Sequence, residues 1–291
     1  MSFRCKWVDV FTDRPFAGNP VAVVLGADEL DGAQMQRIAN WTNLSETTFL
    51  LRPTRPEADY RLRIFTPREE VPFAGHPTLG SAHAAIEAGI VTPREGTLVQ
   101  ECAFGLVPIA VTGERNERLV SFEVPASRVR TLDAREIAEL EAILGAPLDR
   151  TAEPRLVDMG IRWTVARLAD AATVLQLRPD LVRMAPFDRA FGAAGVIAFG
   201  PYPAGSDPAI EVRAFTPTHG VAEDPVCGSG NASVAVFLRE TGALGAYGGG
   251  YRASQGSKVG RDGRIRISIQ PDGSIHLAGQ CVTCVDGTLI G

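Results

Sequence analysis

Arg4 to Phe11 (RCKWVDVF) alternates with the period of two of a half-buried strand, and Phe16-Ala17-Gly18-Asn19-Pro20 is a turn before the apolar run Val21 to Leu25. A hairpin therefore opens the fold. From Asp31 the period lengthens: Met35, Ile38, Ala39 and Trp41 fall on one face of a helix of about three turns that ends near Asn43. Thr47 to Leu51 reads as a strand launched directly from that helix, which puts Glu46 at the junction. Tyr60 to Thr66 alternates as a strand, and Thr78 to Gly89 is small and helical, with Gly89 a natural C-cap. Leu98 to Val111 and Leu119 to Val124 supply two more strands on either side of the polar turn Gly113 to Glu117, closing a first unit near Pro125.

A second unit follows the same course. Asp133 to Leu144 is an amphipathic helix and Arg155 to Leu168 reads as strands. Asp170 to Leu177 and Asp180 to Ala185 are short helices, each with Asp as N-cap. Gly195 to Phe199 and Glu211 to Phe215 are strands, and Ser229 to Thr241 is a helix. The Gly-rich run after it reads as turns around one short strand. Arg264 to Ile269 and Ser274 to Leu277 form a hairpin across Pro271-Asp272-Gly273, and a last strand runs to the C-terminus.

Two stretches carry the repetition: Arg63 to Gly89 (RIFTPREEVPFAGHPTLGSAHAAIEAG) and Arg213 to Arg239 (RAFTPTHGVAEDPVCGSGNASVAVFLR). Each begins Arg-x-Phe-Thr-Pro, where Pro ends a strand for want of an N–H. Each then crosses an acidic loop into a helix, one starting at Gly75-His76-Pro77-Thr78 and the other at Gly228-Ser229-Gly230-Asn231. Small residues there leave backbone N–H groups at a positive dipole end, suited to an anion. The expectation is an α+β protein of two pseudo-symmetric halves, residues 1–127 and 128–291, each a mostly antiparallel sheet curled around a central helix. The last strand is free to return to the first half, and the two helix starts are expected to face one cleft. A doubly wound sheet fits less well, because regular βα alternation and an early GxGxxG are absent.

Composition narrows the function. The chain has 29 basic and 34 acidic residues with no Lys/Arg cluster, which argues against a nucleic-acid partner. No run of 18 apolar residues and no leader pattern occurs, so a cytoplasmic protein without a membrane partner is expected. Five cysteines are expected as reduced thiols. Cys281 and Cys284 form a CxxC, but nothing completes a tetrahedral site, so no metal is expected and both read as strand residues. Cys5 and Cys102 read as core.

Asn43-Leu44-Ser45-Glu46-Thr47-Thr48-Phe49, Phe73-Ala74-Gly75-His76-Pro77-Thr78-Leu79-Gly80 and Glu223-Asp224-Pro225-Val226-Cys227-Gly228-Ser229-Gly230-Asn231 carry a resemblance to the PhzF family of phenazine-biosynthesis-like isomerases. It extends from Val8-Asp9-Val10-Phe11 and Phe16 to Pro20 through Gln255-Gly256 and Gly260-Arg261. The resemblance implies a diaminopimelate epimerase-like fold, a homodimer, and a cofactor-independent isomerase that moves a proton between carbons of a small anionic carboxylate substrate. It implies Glu46 as catalytic acid/base with His76 and Asp224 as partners, and Gly75, Pro77, Gly228, Ser229 and Gly230 around the substrate.

The residues suit those roles. Glu46 can take and return a proton if apolar neighbours such as Leu44, Phe49 and Leu50 raise its pKa from roughly 4.3. His76 can bond the substrate or be oriented by Asp224, and the helix-start N–H groups suit a carboxylate. Cys227 at the second helix start is a possible reactive thiol. Related epimerases use two such cysteines, and Ala74 fills the matching place in the first half. Two alternatives stay open: an amino-acid epimerase or racemase using Glu46 or Cys227, and a non-catalytic protein that binds a small molecule in the same cleft.

Overall fold

The computed structural model describes residues 2–114 and 117–291; Arg115 and Asn116, in the expected turn Gly113 to Glu117, lie outside the described residues. The chain divides into two compact units, one reaching Glu123 and including Ala278–Gly291, the other Val124–Leu277. The division falls at Glu123/Val124 rather than at 127/128, and the last strand crosses it.

In the first unit β1 (Ser2–Val10) and β2 (Asn19–Leu25) form the opening antiparallel hairpin, followed by α1 (Gly32–Thr42), β3 (Thr47–Leu51), β4 (Tyr60–Phe65) and β5 (Glu70–Val71). Then come α2 (Gly75–Glu87), β6 (Thr97–Cys102), β7 (Gly105–Thr112) and β8 (Leu119–Glu123). Sequence reading gave one strand for Leu98 to Val111. The chain instead reverses at Ala103-Phe104, where Gly105 takes a φ of 130°, and makes two paired strands. Helix α2 is buried on almost every side and packs against β1, β2, β3, β4 and β8, so the sheet curls around it. Gly80 sets the closeness: a Cβ there would lie 2.5 Å from Val21 Cγ1 and 2.9 Å from Val10 Cγ2. Among the polar residues this encloses, Thr48 and Ser81 bond each other at 2.8 Å and Gln100 donates to Thr78 at 3.1 Å.

Helix α1 starts at Asp31, which forms a capping box with Gln34, and ends at Asn43 in the left-handed region, φ 54°. Its Met35 and Ala39 pack with Val24, Phe49 and Phe65 on the outer face of the sheet. Trp41, expected on that face, is 73% exposed.

The second unit contains β9 (Arg128–Thr131), α3 (Ala134–Leu144), β10 (Arg155–Asp158), β11 (Arg162–Arg167), α4 (Ala171–Gln176), α5 (Leu181–Phe191), β12 (Gly195–Pro201), β13 (Ile210–Thr216) and β14 (Val221–Asp224). It continues with α6 (Gly228–Glu240), β15 (Gly250–Gln255), β16 (Gly263–Ile269) and the start of β17 (Ile275–Ile290). The buried α6 packs against β10, β11, β12 and β16, in the manner of α2. Strand alternation divides the core. Phe199 of β12 stacks edge-on against Phe237 of α6 with centroids 5.3 Å apart, whereas Val196 and Ala198 join Leu140, Ile143, Met184 and Phe187 of α3 and α5 on the other face. Helix α5 was expected to stop before Pro186 but continues to Phe191. The carbonyl that Pro186 deprives of a donor belongs to the exposed Val182, where water can replace it.

The expected hairpin arm Ser274 to Leu277 and the last strand are one element, β17, which pairs antiparallel with β1. Its register slips between Trp7 and Val8, leaving Cys284 as the extra residue of a bulge. Cys281 is buried, Cys284 half-buried, and no cysteine is in a disulfide. Cys5 and Cys102 are half-buried rather than core.

The repeat has a physical basis that its motif left unread. Arg63 makes two 2.7 Å bonds to Glu70 and lies 5.1 Å over the Phe65 ring. Arg213 bonds Glu223 at 3.0 and 2.7 Å and lies 4.8 Å over Phe215. In each half, Arg-x-Phe pins the acidic loop that leads to the buried helix.

Candidate active site

Glu46 precedes β3, and its place follows from strand alternation. Thr47 bonds Thr42 of α1 and Phe49 packs against α1, while Thr48 bonds Ser81 of α2. Glu46 has the parity of Thr48 and points to the start of α2, where its Oε2 lies 3.5 Å from His76 Nε2. Phe49, expected to surround Glu46, faces the opposite side of the sheet. The carboxyl is instead enclosed beside the imidazole, with side chains 18% and 7% exposed.

His76 hydrogen-bonds the backbone of Pro20. Proline has no N–H, so its carbonyl accepts and the imidazole donates. With Nε2 turned to Glu46, the donor is Nδ1–H. Burial pushes the His76 pKa down to about 3, so the ring is neutral at neutral pH. Neutral His76 thus presents an Nε2 lone pair to a carboxyl oxygen, an arrangement that is attractive when a proton lies between them. Pro20, which sequence reading used only as part of a turn, is the group that orients His76.

At the start of α2 the Thr78 N–H bonds Ala74 O at 3.2 Å and Pro77 has none to give, so the N–H groups of Gly75 and His76 alone are left among the described residues of this turn. Pro77 offers no backbone donor to a substrate; its ring suits the first turn of the helix.

The corresponding turn of the second unit is held by Gln255. Its Oε1 accepts from Cys227 N at 3.0 Å and Asn231 Nδ2 at 2.8 Å, and its Nε2 donates to Asp224 O at 2.9 Å. Cys227 is the N-cap, its Sγ accepting the Gly230 N–H at 3.2 Å. Asn231 N is taken by Cys227 O at 3.0 Å, which leaves Gly228 and Ser229 as the pair of outward N–H groups. The sequence expectation counted Gly230 among the substrate donors, but the thiol occupies it. Ser229 Oγ accepts the Trp163 indole N–H at 3.0 Å and lies 3.6 Å from Cys227 Sγ, so its own O–H can donate to that thiol or, with the thiol donating instead, to a substrate. Nothing in the sequence marked Trp163 for this task. Burial, helped by the charge of Glu223, pushes Asp224 up to about 6 against the opposing bonds from Val226 and Cys227. A carboxyl in that range can give or take a proton near neutrality.

The model of the phenazine biosynthesis-like protein family, PhzC-PhzF, matches residues 8–287. The chain belongs to the PhzF family. The chain is 40% identical to the Schizosaccharomyces pombe protein named antisense-enhancing sequence 1, covering 97% of each. It is 36% identical to the Pseudomonas aeruginosa trans-2,3-dihydro-3-hydroxyanthranilate isomerase, covering 96% of each. A PhzF family structure from Bacillus anthracis superposes with a TM-score of 0.85 at 23% identity over 100% of both chains, which shows the same mixed α+β fold. The class of enzyme, an isomerase, comes with the family. Among the described residues no helix is long and apolar enough to cross a membrane, and no cluster of His, Cys, Asp and Glu converges on a metal position.

Proposed function

We propose that the chain is a cofactor-independent isomerase that shifts a proton between carbons of a small carboxylate-bearing molecule, with Glu46 taking and returning the proton. The observation that carries this reading is the enclosed Glu46–His76 pair, a carboxyl facing the lone pair of a neutral imidazole. Glu46 as carboxylate removes a proton from one carbon, and the C–H electron pair delocalises into the adjoining unsaturated system. The carboxyl so formed delivers the proton to another carbon. One C–H bond breaks, one forms, and nothing is oxidised. Between the two steps His76 Nε2 steadies the acidic proton as acceptor. We assign the N–H groups of Gly75, His76, Gly228 and Ser229 and the Ser229 hydroxyl to anionic groups of substrate, and Asp224 to a second proton-transfer role. Reduced cysteines suit a cytoplasmic setting, and a homodimer is the assembly the family resemblance implies.

The name of the P. aeruginosa relative makes trans-2,3-dihydro-3-hydroxyanthranilate the first substrate to try. Its conversion, followed by proton NMR, is expected; no conversion of it or of related cyclic carboxylates would overturn the isomerase reading. A second reading, an epimerase using Cys227, draws on the thiol at the N-cap of α6 beside Asp224. Deuterium exchange at an amino-acid Cα that survives Glu46→Gln and is lost in Cys227→Ser would select it. Binding of the carboxylate without turnover, unaltered by Glu46→Gln, would select a non-catalytic role; the S. pombe relative is not named for a reaction.

A further inference from the structure

The Pro20 carbonyl that receives His76 stands at the start of β2, directly after the turn that joins it to β1. Phe16 at its apex is 75% exposed and held at φ 67°, a left-handed conformation that L side chains resist. Gly18 is pressed so close to β1 that a Cβ would sit 2.1 Å from Val10 O. The Cys284 thiol meets the backbone of Phe16, and the side that leads into β2 is restrained by Asp9 of β1. Its side chain is 3% exposed, and its Oδ2 accepts both the Ala17 N–H at 2.8 Å and the Gly18 N–H at 3.0 Å. Asp9 is also the register partner of Pro20 across the β1–β2 ladder, so the carboxylate grips the turn beside the residue whose carbonyl matters.

We propose that Asp9 is a positioning residue for the acid/base pair: by gripping the N–H groups of Ala17 and Gly18 it fixes the Pro20 carbonyl that keeps His76 in the Nδ1–H tautomer, with Nε2 toward Glu46. Loss of the grip lets the turn relax and the first residues of β2 shift with it, the Pro20 carbonyl loses its alignment with Nδ1, and the ring is free to carry its proton on Nε2. That tautomer turns an N–H rather than a lone pair toward Glu46 and holds the carboxylate in its charged form.

The inference rests on the proposed role of Glu46 and His76 only for its kinetic consequence; the tautomer can be read without any substrate. The experiment is a long-range proton–nitrogen NMR spectrum of the four histidines of the intact protein at neutral pH, with His76 assigned by its loss in His76→Gln, repeated on Asp9→Ala and Asp9→Asn. The intact protein is expected to give the Nδ1–H pattern for His76. Asp9→Asn, whose amide oxygen can accept both N–H groups, is expected to retain it. Asp9→Ala is expected to shift His76 toward Nε2–H while the other three histidines keep their signals. Asp9→Ser, too short to reach both N–H groups, gives the same reading if Asp9→Ala does not fold. With a substrate in hand, kcat of Asp9→Ala is expected to fall about 10–100-fold, the scale of losing a group that orients a working histidine, with KM unchanged. An Nε2–H pattern in the intact protein, or an unchanged His76 in both Asp9→Ala and Asp9→Ser, overturns the proposal. A normal tautomer with absent turnover would instead count against the functional reading of Glu46.

Discussion

Asp188 is fully buried in α5, and neither of its carboxyl oxygens has a hydrogen-bond partner. Burial pushes its pKa up to about 7, against roughly 3.9 for an unfolded chain. The folded state therefore holds the proton more tightly than the unfolded one. Its stabilising effect is complete below the unfolded value and lost as pH rises through about 7. Asp188→Asn, neutral at every pH, is expected to raise Tm by several degrees at pH 8, with the gap over the unmodified protein narrowing toward pH 4. A gap independent of pH would contradict the burial argument. His76 runs the other way: its lowered pKa favours folding above pH 6.5, and that contribution is lost as pH falls toward 3. At this scale the sequence was only partly legible. The motif spelled out Glu46 and His76, but the imidazole's tautomer depends on the Pro20 carbonyl, and a carbonyl is carried by every residue. Trp163 was equally silent, since its indole reads as one more apolar strand position until the fold carries it to Ser229.

Among the elements, the two Arg-x-Phe-Thr-Pro strands show one device under two degrees of burial. Arg213 and Glu223 are both under a tenth exposed, and the guanidinium also donates to the carbonyls of Val174 and Leu177 at the end of α4. Arg63 and Glu70 are 23% and 37% exposed. Removing a carboxylate from the buried pair strands a buried charge, so Glu223→Ala is expected to cost about 3 kcal/mol in urea unfolding. Glu70→Ala should cost about 1 kcal/mol or less, since water can take its place. Equal losses would refute the role given to burial. The helix starts yield a second prediction. Proline at the second position of α6 is tolerated by the helix but removes the Ser229 N–H, the serine hydroxyl and the contact with Trp163. Ser229→Pro is therefore expected to keep its Tm within a few degrees and lose carboxylate binding by calorimetry. Retained affinity would contradict the anion role. Helix caps were legible because Asp31, Asp133, Asp170 and Asp180 announce them. Less legible were the continuation of α5 through Pro186 and the exposure of Trp41, both of which depend on whether a neighbour or water meets that surface.

Over the whole molecule, the duplication was legible because both copies must meet the same demands: a strand ended by Pro, a pinned acidic loop, and a helix begun with small residues so that it can be buried on all sides. The division of the chain was less so. One continuous strand, β17, serves both units, and nothing in its alternation marks where it passes from one to the other. The most direct test of proton transfer through Glu46 follows deuterium from solvent into trans-2,3-dihydro-3-hydroxyanthranilate, comparing the intact protein with Glu46→Gln. The account predicts label at a ring carbon of the product with the intact protein and none above the uncatalysed rate with Glu46→Gln, while both bind the substrate alike. Label entering equally with both proteins would contradict it.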